Sequence, residues 1–493
     1  MSHVFLTIKD VYKTFGGVHA LNGVDLEIRS GEIHCLAGEN GSGKSTLIKI
    51  ISGIYQPDKG QIRIEGSEVQ KLTPRDSINA GIQVIYQDFA IFPNLSVAEN
   101  ISINHSVMTA AKRMNWKEAR ALAIDAMNKI GAKLDPEILV ENLSVANKQM
   151  VAICRAIIND AKLLILDEPT ASLTAKEVDA LNEIIRNLRD KDMAIMIVNH
   201  KIDEIFNIAE RITVLRNGEK ISSGPAENYT RQSFIHDLTG RDISESTYAP
   251  APSEEEIFRV ENLSRTGEFA DVSFELRKGD VLGITGLLGS GRGQIGDALF
   301  GVAPATSGKI FLNGEEIKIR SIDDAIRYRI GYVPEDRLTQ GLFLNRSIQE
   351  NTTAASIRKY FVNGRVDRKM MLNDTIDWIR KIGCNAKSAE PPIRTLSGGN
   401  AQKMVIAKWL NTHPRLLILN GPTVGVDIGA KADIHHYLHT LAADGVGVIV
   451  ISDDLAELIQ NCNRIIVMKD GKAVSTVRAK DVDETTLSRT LSD

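Results

Sequence analysis

A glycine-rich turn of fixed spacing occurs once complete and once altered in this chain, and the two occurrences divide it in half. The complete copy reads Gly38-Glu39-Asn40-Gly41-Ser42-Gly43-Lys44-Ser45-Thr46 and follows the apolar run Ile33-His34-Cys35-Leu36-Ala37. That order predicts a strand feeding a glycine turn that opens a helix. Glycines let the backbone wrap a phosphate chain, and its N–H groups and the helix N-terminus face negative charge. Lys44 is placed to bridge phosphoryl oxygens, and the Ser45 hydroxyl to ligate Mg²⁺. The altered copy, Gly286-Leu287-Leu288-Gly289-Ser290-Gly291-Arg292-Gly293, has Arg for Lys and no hydroxyl for a metal.

A second landmark repeats in step with the first. Leu143-Ser144-Val145-Ala146-Asn147 returns as Leu396-Ser397-Gly398-Gly399-Asn400, so the period is roughly 250 residues and the chain is two similar domains in tandem. Between them, Tyr248-Ala249-Pro250-Ala251-Pro252-Ser253-Glu254-Glu255-Glu256 combines clustered proline with a charge run. The expected boundaries are therefore 1–245 for the first domain, 246–256 for a linker and 257–493 for the second.

A net charge of −4 gives no support for nucleic acid as a partner. Cys35, Cys154, Cys384 and Cys462 lie far apart without metal-ligand spacing, which points to buried small side chains in a reducing compartment. No leader pattern opens the sequence, and no apolar run approaches the ~18 residues of a membrane span. A soluble, cytoplasmic chain is the expectation.

Each half opens with alternating segments such as Val24-Asp25-Leu26-Glu27-Ile28 and Gln61-Ile62-Arg63-Ile64-Glu65, which read as half-exposed antiparallel strands. Later runs, Leu163-Leu164-Ile165-Leu166 and Ala194-Ile195-Met196-Ile197-Val198, are apolar throughout, as in strands covered on both faces. From about 94 to 142 a polar, periodic stretch predicts helices, opened by the capping box Ser96-Val97-Ala98-Glu99 and repeated as Ser347-Ile348-Gln349-Glu350. The fold class expected is α/β: two tandem nucleotide-binding cores, each with an antiparallel β subdomain and a helical insertion.

The apolar run Leu163–Leu166 ends in Asp167-Glu168. An aspartate at a buried strand end can share the Mg²⁺ that Ser45 touches, and the next carboxylate can polarise a water towards the γ-phosphate. With these motifs in place, the chain resembles the ATP-binding-cassette family over essentially its whole length. The resemblance implies that Gln87, in Ile85-Tyr86-Gln87-Asp88, senses metal and water, and that His200, in Val198-Asn199-His200-Lys201, contacts the γ-phosphate. It also implies that Phe15 stacks on adenine and that Ser397, Gly398, Gly399 and Asn400 are the family's signature. In this family two cassettes close head to tail, so the loop of one half and the signature of the other hold one ATP. One complete site then unites Lys44, Ser45, Gln87, Asp167, Glu168 and His200 with Ser397, Gly398, Gly399 and the Asp427 turn. Glu168, His200, Gln87 and Lys44 are its expected catalytic groups, and Ser45, Gln87 and Asp167 its Mg²⁺ ligands.

The other composite site is altered on both sides. Arg292 and Gly293 replace Lys and Ser; Glu335, Asn420, Gly421 and Asp453 stand where the first half has Gln87, Asp167, Glu168 and His200; Thr174 matches Asp427; Val145 and Ala146 replace the signature glycines. Losing the general base alone costs ~10²–10⁴ in rate, so no turnover is expected there. Two readings of the second loop stand side by side: it holds nucleotide through Arg292 with Gly289 and Gly291, or it is a structural vestige.

The tandem with an altered second half resembles the ATP-binding subunits of bacterial monosaccharide importers of the ribose/galactose/xylose group. The matching stretches are Gly286–Arg292, Gly331-Tyr332-Val333-Pro334-Glu335-Asp336-Arg337 and Thr423-Val424-Gly425-Val426-Asp427-Ile428-Gly429-Ala430-Lys431. Asn420, Gly421 and Val424 depart from the Asp-Glu and Arg usual there. The resemblance implies a chain peripheral to the cytoplasmic face of the inner membrane, docked on an integral-membrane sugar permease. A periplasmic binding protein delivers sugar, and a second copy of this chain is possible in the complex. Phe89, Phe92 and Leu95 are candidates for an apolar docking floor, with packing inside the insertion as the alternative. A nucleoside or purine importer is the nearest rival function. A two-cassette ATPase acting on RNA or ribosomes would carry a long charged inter-domain arm and two working sites, and a repair ATPase would carry zinc-spaced cysteines; this sequence has none of these.

Overall fold

The computed structural model describes residues 3–108, 115–158, 160–170, 173–199, 201–243, 248 and 253–492. They form two compact units, residues 1–242 and 243–493. In the first, an antiparallel sheet is ordered Val18–Arg29, Val4–Phe15, Lys59–Ile64, Ser67–Glu68. A six-stranded sheet is ordered Glu219–Pro225, Arg211–Arg216, Ile33–Gly38, Ala194–Asn199, Leu163–Asp167, Ile82–Ile85. Its members run parallel except for the edge pair Glu219–Pro225 with Arg211–Arg216.

The apolar runs are apolar throughout because both sheet faces are covered. Leu163, Ile165, Met196 and Val198 face a core shared with Leu47, Ile51 and the antiparallel sheet's Phe5 and Leu26. Their neighbours Leu164, Leu166, Ile195 and Ile197 point the opposite way, onto Val97, Met127, Val151 and Leu181. A period of two in a strand makes this division obligatory.

The second unit repeats the plan. Its antiparallel sheet is ordered Phe269–Arg277, Glu256–Arg265, Ser307–Leu312, Glu315–Ile317. Its six-stranded sheet runs Lys472–Arg478, Arg464–Lys469, Val281–Gly286, Gly447–Ile451, Leu416–Asn420, Ile330–Val333. The expected helical stretch of the first unit contains helices Val97–Met108 and Trp116–Ile130. Its capping box is formed: Ser96 N donates to Glu99 Oε2 at 2.6 Å and Glu99 N to Ser96 Oγ at 3.2 Å. Ser347 and Glu350 do the same in the second unit.

Within the stretch expected to be a linker, Tyr248 is fastened to the second unit. Its ring stacks on His439 with centroids 4.1 Å apart, its hydroxyl donates to the Gly279 carbonyl at 2.9 Å, and its N–H to that of Gln460 at 2.9 Å. All four cysteines are buried. Among the described residues no helix is long and apolar enough to cross a membrane.

The loops at the strand ends are tied down by one carboxylate in each unit, half-buried Glu204 in the first and buried Glu457 in the second. In the first, Glu204 accepts from the Thr170 hydroxyl, from Asn199 Nδ2 at 2.8 Å and from Lys201 Nζ at 2.9 Å. In the second, Glu457 accepts from the hydroxyls of Thr423 at 2.7 Å and Ser452 at 2.9 Å, and lies 2.6 Å from His435 Nε2. Burial opposes ionisation of Glu457, but the hydrogen bond and charge of His435, the charge of Lys431 and the Thr423 hydroxyl outweigh it and hold the pKa at about 2. Because this lies below the ordinary glutamate value of 4.5, the ionised group contributes stability that is complete above pH 4.5 and lost as pH falls towards 2. Glu457→Gln should destabilise the second unit at pH 7 by about 3 kcal/mol. Thermal unfolding across pH should show that deficit shrinking on acidification, and an equal deficit at pH 7 and pH 3 would contradict the assignment.

Candidate nucleotide site

Parallel register sets the first unit's chemistry along one sheet edge. Ala37 pairs with Asn199, Asp167 with Val198 and Ile85 with Leu166. The strands therefore release the Gly38 loop, the Asp167-Glu168 pair and the turn carrying Gln87 from the same ends, where ligands of open α/β sheets bind.

In the loop, Gly43 sits at φ 105 as the cap of helix Lys44–Ile51, and a Cβ there would come within 2.6 Å of the Ala20 carbonyl. A Cβ on Gly38 would lie 2.3 Å from Ser42 Oγ. Only glycine fits either place. The loop thus presents Lys44 from the first helical turn, buried, with Nζ donating to the Gly38 and Glu39 carbonyls at 2.7 and 2.9 Å. Burial pulls the Lys44 pKa down, while the charges of Glu168 and Asp167 push it back up. Asp167 is raised in turn, by burial first and then by the neighbouring Glu168, against the charges of Lys44 and Lys49. Two adjacent carboxylates beside one ammonium make a site that favours a further cation. Ser45, in the first turn of helix Lys44–Ile51, and Gln87, just after strand Ile82–Ile85, are exposed.

Glu168 has left-handed backbone, φ 48, with its N–H on the Val198 carbonyl at 2.9 Å. Such a conformation in a non-glycine residue is stored strain of the kind found at functional positions. Gly421, its counterpart, has φ 59 and an N–H on the Ile451 carbonyl at 2.8 Å. The second unit has kept the bend and dropped the side chain that strains it. His200 lies outside the described residues. The residues either side are held by Glu204, and Lys201 N also donates to Asn199 Oδ1 at 3.0 Å. Phe15 ends its strand half exposed, its ring 5.2 Å from that of Tyr55. Of the apolar trio after Gln87, Phe89 packs against the helical side's own core and Phe92 is open to solvent.

In the second unit Ser397 caps helix Gly398–Leu410, accepting from Asn400 Nδ2 at 2.8 Å. Gly399 is glycine for a local reason: a Cβ would lie 2.6 Å from Ala430 Cβ and 3.1 Å from Asp427 Oδ2. Asp427 caps its own helix, Oδ1 accepting from Ala430 N at 2.7 Å. The turn before Asp427 and the start of the signature helix are therefore packed face to face, which the sequence pattern did not convey. In the altered loop the arginine makes the same carbonyl contact that Lys44 makes in the intact one and adds an ion pair. Arg292 donates to the Gly286 carbonyl and pairs with Asp453 at 3.3 Å, while Asn420 Nδ2 would lie 3.3 Å from a Cβ on Gly293.

The ABC transporter family matches residues 21–171 and 269–424, covering both loops and both Leu-Ser motifs. The chain belongs to the ABC transporter family. Among its relatives is the ribose import ATP-binding protein RbsA 2 of Streptomyces avermitilis, 40% identical over 97% of this chain and 95% of that one. A putative ribose/galactose/methyl galactoside import ATP-binding protein of Ralstonia nicotianae is 41% identical over 97% of this chain and 93% of its own length. An ABC chain with these two domains binds ATP and is an ATPase coupled to transport.

The strain at the strand-end bend is measurable. Gly421→Ala should destabilise the second unit by about 1–3 kcal/mol, adding a Cβ 3.0 Å from Val424 Cγ2 to the left-handed backbone. Glu168→Gly should leave the first unit's denaturation midpoint unchanged or raised. A lowered midpoint in Glu168→Gly would show that the bend carries no strain.

Proposed function

We propose that this ABC ATPase powers import of a simple sugar through a separate membrane permease, hydrolysing ATP at one site per chain. The observation that carries the reading is the contrast between matched strand ends. Lys44, Asp167 and Glu168 surround one loop, whereas Arg292, Asn420 and Gly421 stand at the other. The names of the relatives supply the sugar and the direction.

In this reading Lys44 and the loop N–H groups bind the phosphates, Phe15 stacks on adenine, and Ser397, Gly398, Gly399 and Asn400 with Asp427 complete the site by family resemblance. Ser45, Gln87 and Asp167 would hold Mg²⁺, which when bound draws charge from the phosphates. Glu168 accepts a proton from the attacking water, helped by Gln87 and His200. Asp167 takes the metal by its place at the end of the buried strand Leu163–Asp167, beside Lys44 and one residue before Glu168. The altered loop turns over no ATP. Without a carboxylate at 421 or a hydroxyl at 293 it lacks both a base and a metal ligand. Docking on a permease places the chain at the cytoplasmic face of the inner membrane, with a periplasmic binding protein upstream. A second copy of the chain is compatible with this.

Steady-state ATPase of the chain assembled with its permease and binding protein tests the reading. Glu168→Gln should lower turnover ~10²-fold or more, Arg292→Ala should retain most of it, and a pentose or hexose should stimulate it. Turnover surviving Glu168→Gln would overturn the site. Stimulation by nucleosides alone would keep the mechanism and replace the substrate class.

A further inference from the structure

The second unit holds a guanidinium where the first has none. Arg337 opens a single helical turn, Arg337–Gly341, whose direction is set by Asp336, accepting from Leu338 N at 3.0 Å and Thr339 N at 3.2 Å. Its side chain crosses to the turn before Asp427, NH1 donating to the Val424 carbonyl at 2.5 Å and NH2 to that of Gly425 at 3.2 Å. It also lies against the signature, for a Cβ on Gly398 would come within 2.9 Å of NH2. One planar fork therefore bridges three segments: the stretch after Glu335, the Val424–Asp427 turn and the N-terminus of the signature helix. Lysine, a point charge with three rotatable donors, cannot reproduce that shape.

The internal repeat supplies an independent comparison. Phe89 stands two residues after Gln87, as Arg337 stands two after Glu335, and the first unit has Val145 where the second has Gly398. Phe89 packs inward on its own core, and Val145 is exposed. The half that has the signature glycine has the arginine beside it; the other half has neither. The tie between the 335–341 segment and the signature helix is otherwise common to both units, as Arg155 donates to the Phe89 and Ala90 carbonyls and Lys408 to that of Gly341. Arg337 is the extra element.

We infer that Arg337 is a positioning residue for ATP hydrolysis, holding Ser397, Gly398 and the Asp427 turn in register with the segment after Glu335. A displacement of that segment is then transmitted to the signature. The inference rests on the reading that this signature completes the working ATP site. Arg337 touches no nucleotide in it and acts only through the residues it bridges.

The test compares Arg337→Ala, Arg337→Lys and Gly398→Val in the assembled transporter and in the chain alone, with ATPase kinetics and thermal unfolding. Arg337→Ala should lower permease-stimulated kcat at least tenfold, change the KM for ATP less than threefold, and leave the ATPase of the free chain far less affected. Arg337→Lys should recover only part of the stimulation and serves as the test if Arg337→Ala does not fold. Unchanged stimulation in Arg337→Ala, or equal loss in complex and free chain, would overturn the inference. Full turnover in Gly398→Val would instead remove the composite-site reading on which it stands.

Discussion

Lys44 keeps its positive charge in a place where burial opposes it, because two loop carbonyls accept from its ammonium and two carboxylates lie close by. The rest of the first unit can be read as the scaffold for that balance. Glycines at 38 and 43 let the turn close tightly enough to aim the carbonyls inward, and the parallel register brings Asp167 and Glu168 out at the same sheet edge. Covered sheet faces hold that register, since a one-residue slip would reverse both cores. A buried ammonium beside paired carboxylates adds little net stability by itself. It is an arrangement suited to more charge of both signs, a phosphate chain and a cation.

The second unit shows the same scaffold with the balance dismantled. Its sheets follow the same order, its strand-end bend survives at Gly421, and its loop glycines remain, yet the arginine at the lysine position is paired internally with Asp453. It has instead the Ser397 cap, the glycines packed on Ala430 and Arg337, and the Asp427 turn, which the proposed function assigns to the signature side of the working site. Glu457 and Glu204 each take three side-chain partners, but Glu457 is buried and its set includes His435 where that of Glu204 includes Lys201.

Much of the fold was legible because it is written in periodicity and punctuation. Runs such as Leu163–Leu166 announce two-sided burial, and Ser96 with Glu99 announces a helix start. The loop and the Asp167-Glu168 pair were legible because the chemistry demands particular residue types at adjacent positions. What could not be read are contacts between residues distant in sequence: the Arg337 fork on Val424 and Gly425, the Thr170–Glu204 tie, and Ala430 as the neighbour that forbids a side chain at Gly399. The strain at Glu168 was hidden too, since a glutamate does not advertise a left-handed backbone, although glycine at the matching position of the repeat was a signal available for it. The proline-rich stretch drew a boundary by composition, whereas the stacking of Tyr248 on His439 shows part of it fastened to the second unit.

One working ATP site per chain fixes a stoichiometry that can be counted. The assembled transporter would be turned over with labelled ATP in the presence of a phosphate analogue that traps the transition state, freed of loose nucleotide, and its bound ADP counted per chain. One working site should trap one ADP per chain, abolished by Lys44→Ala and retained in Arg292→Ala. Two per chain, or trapping that survives Lys44→Ala, would contradict it.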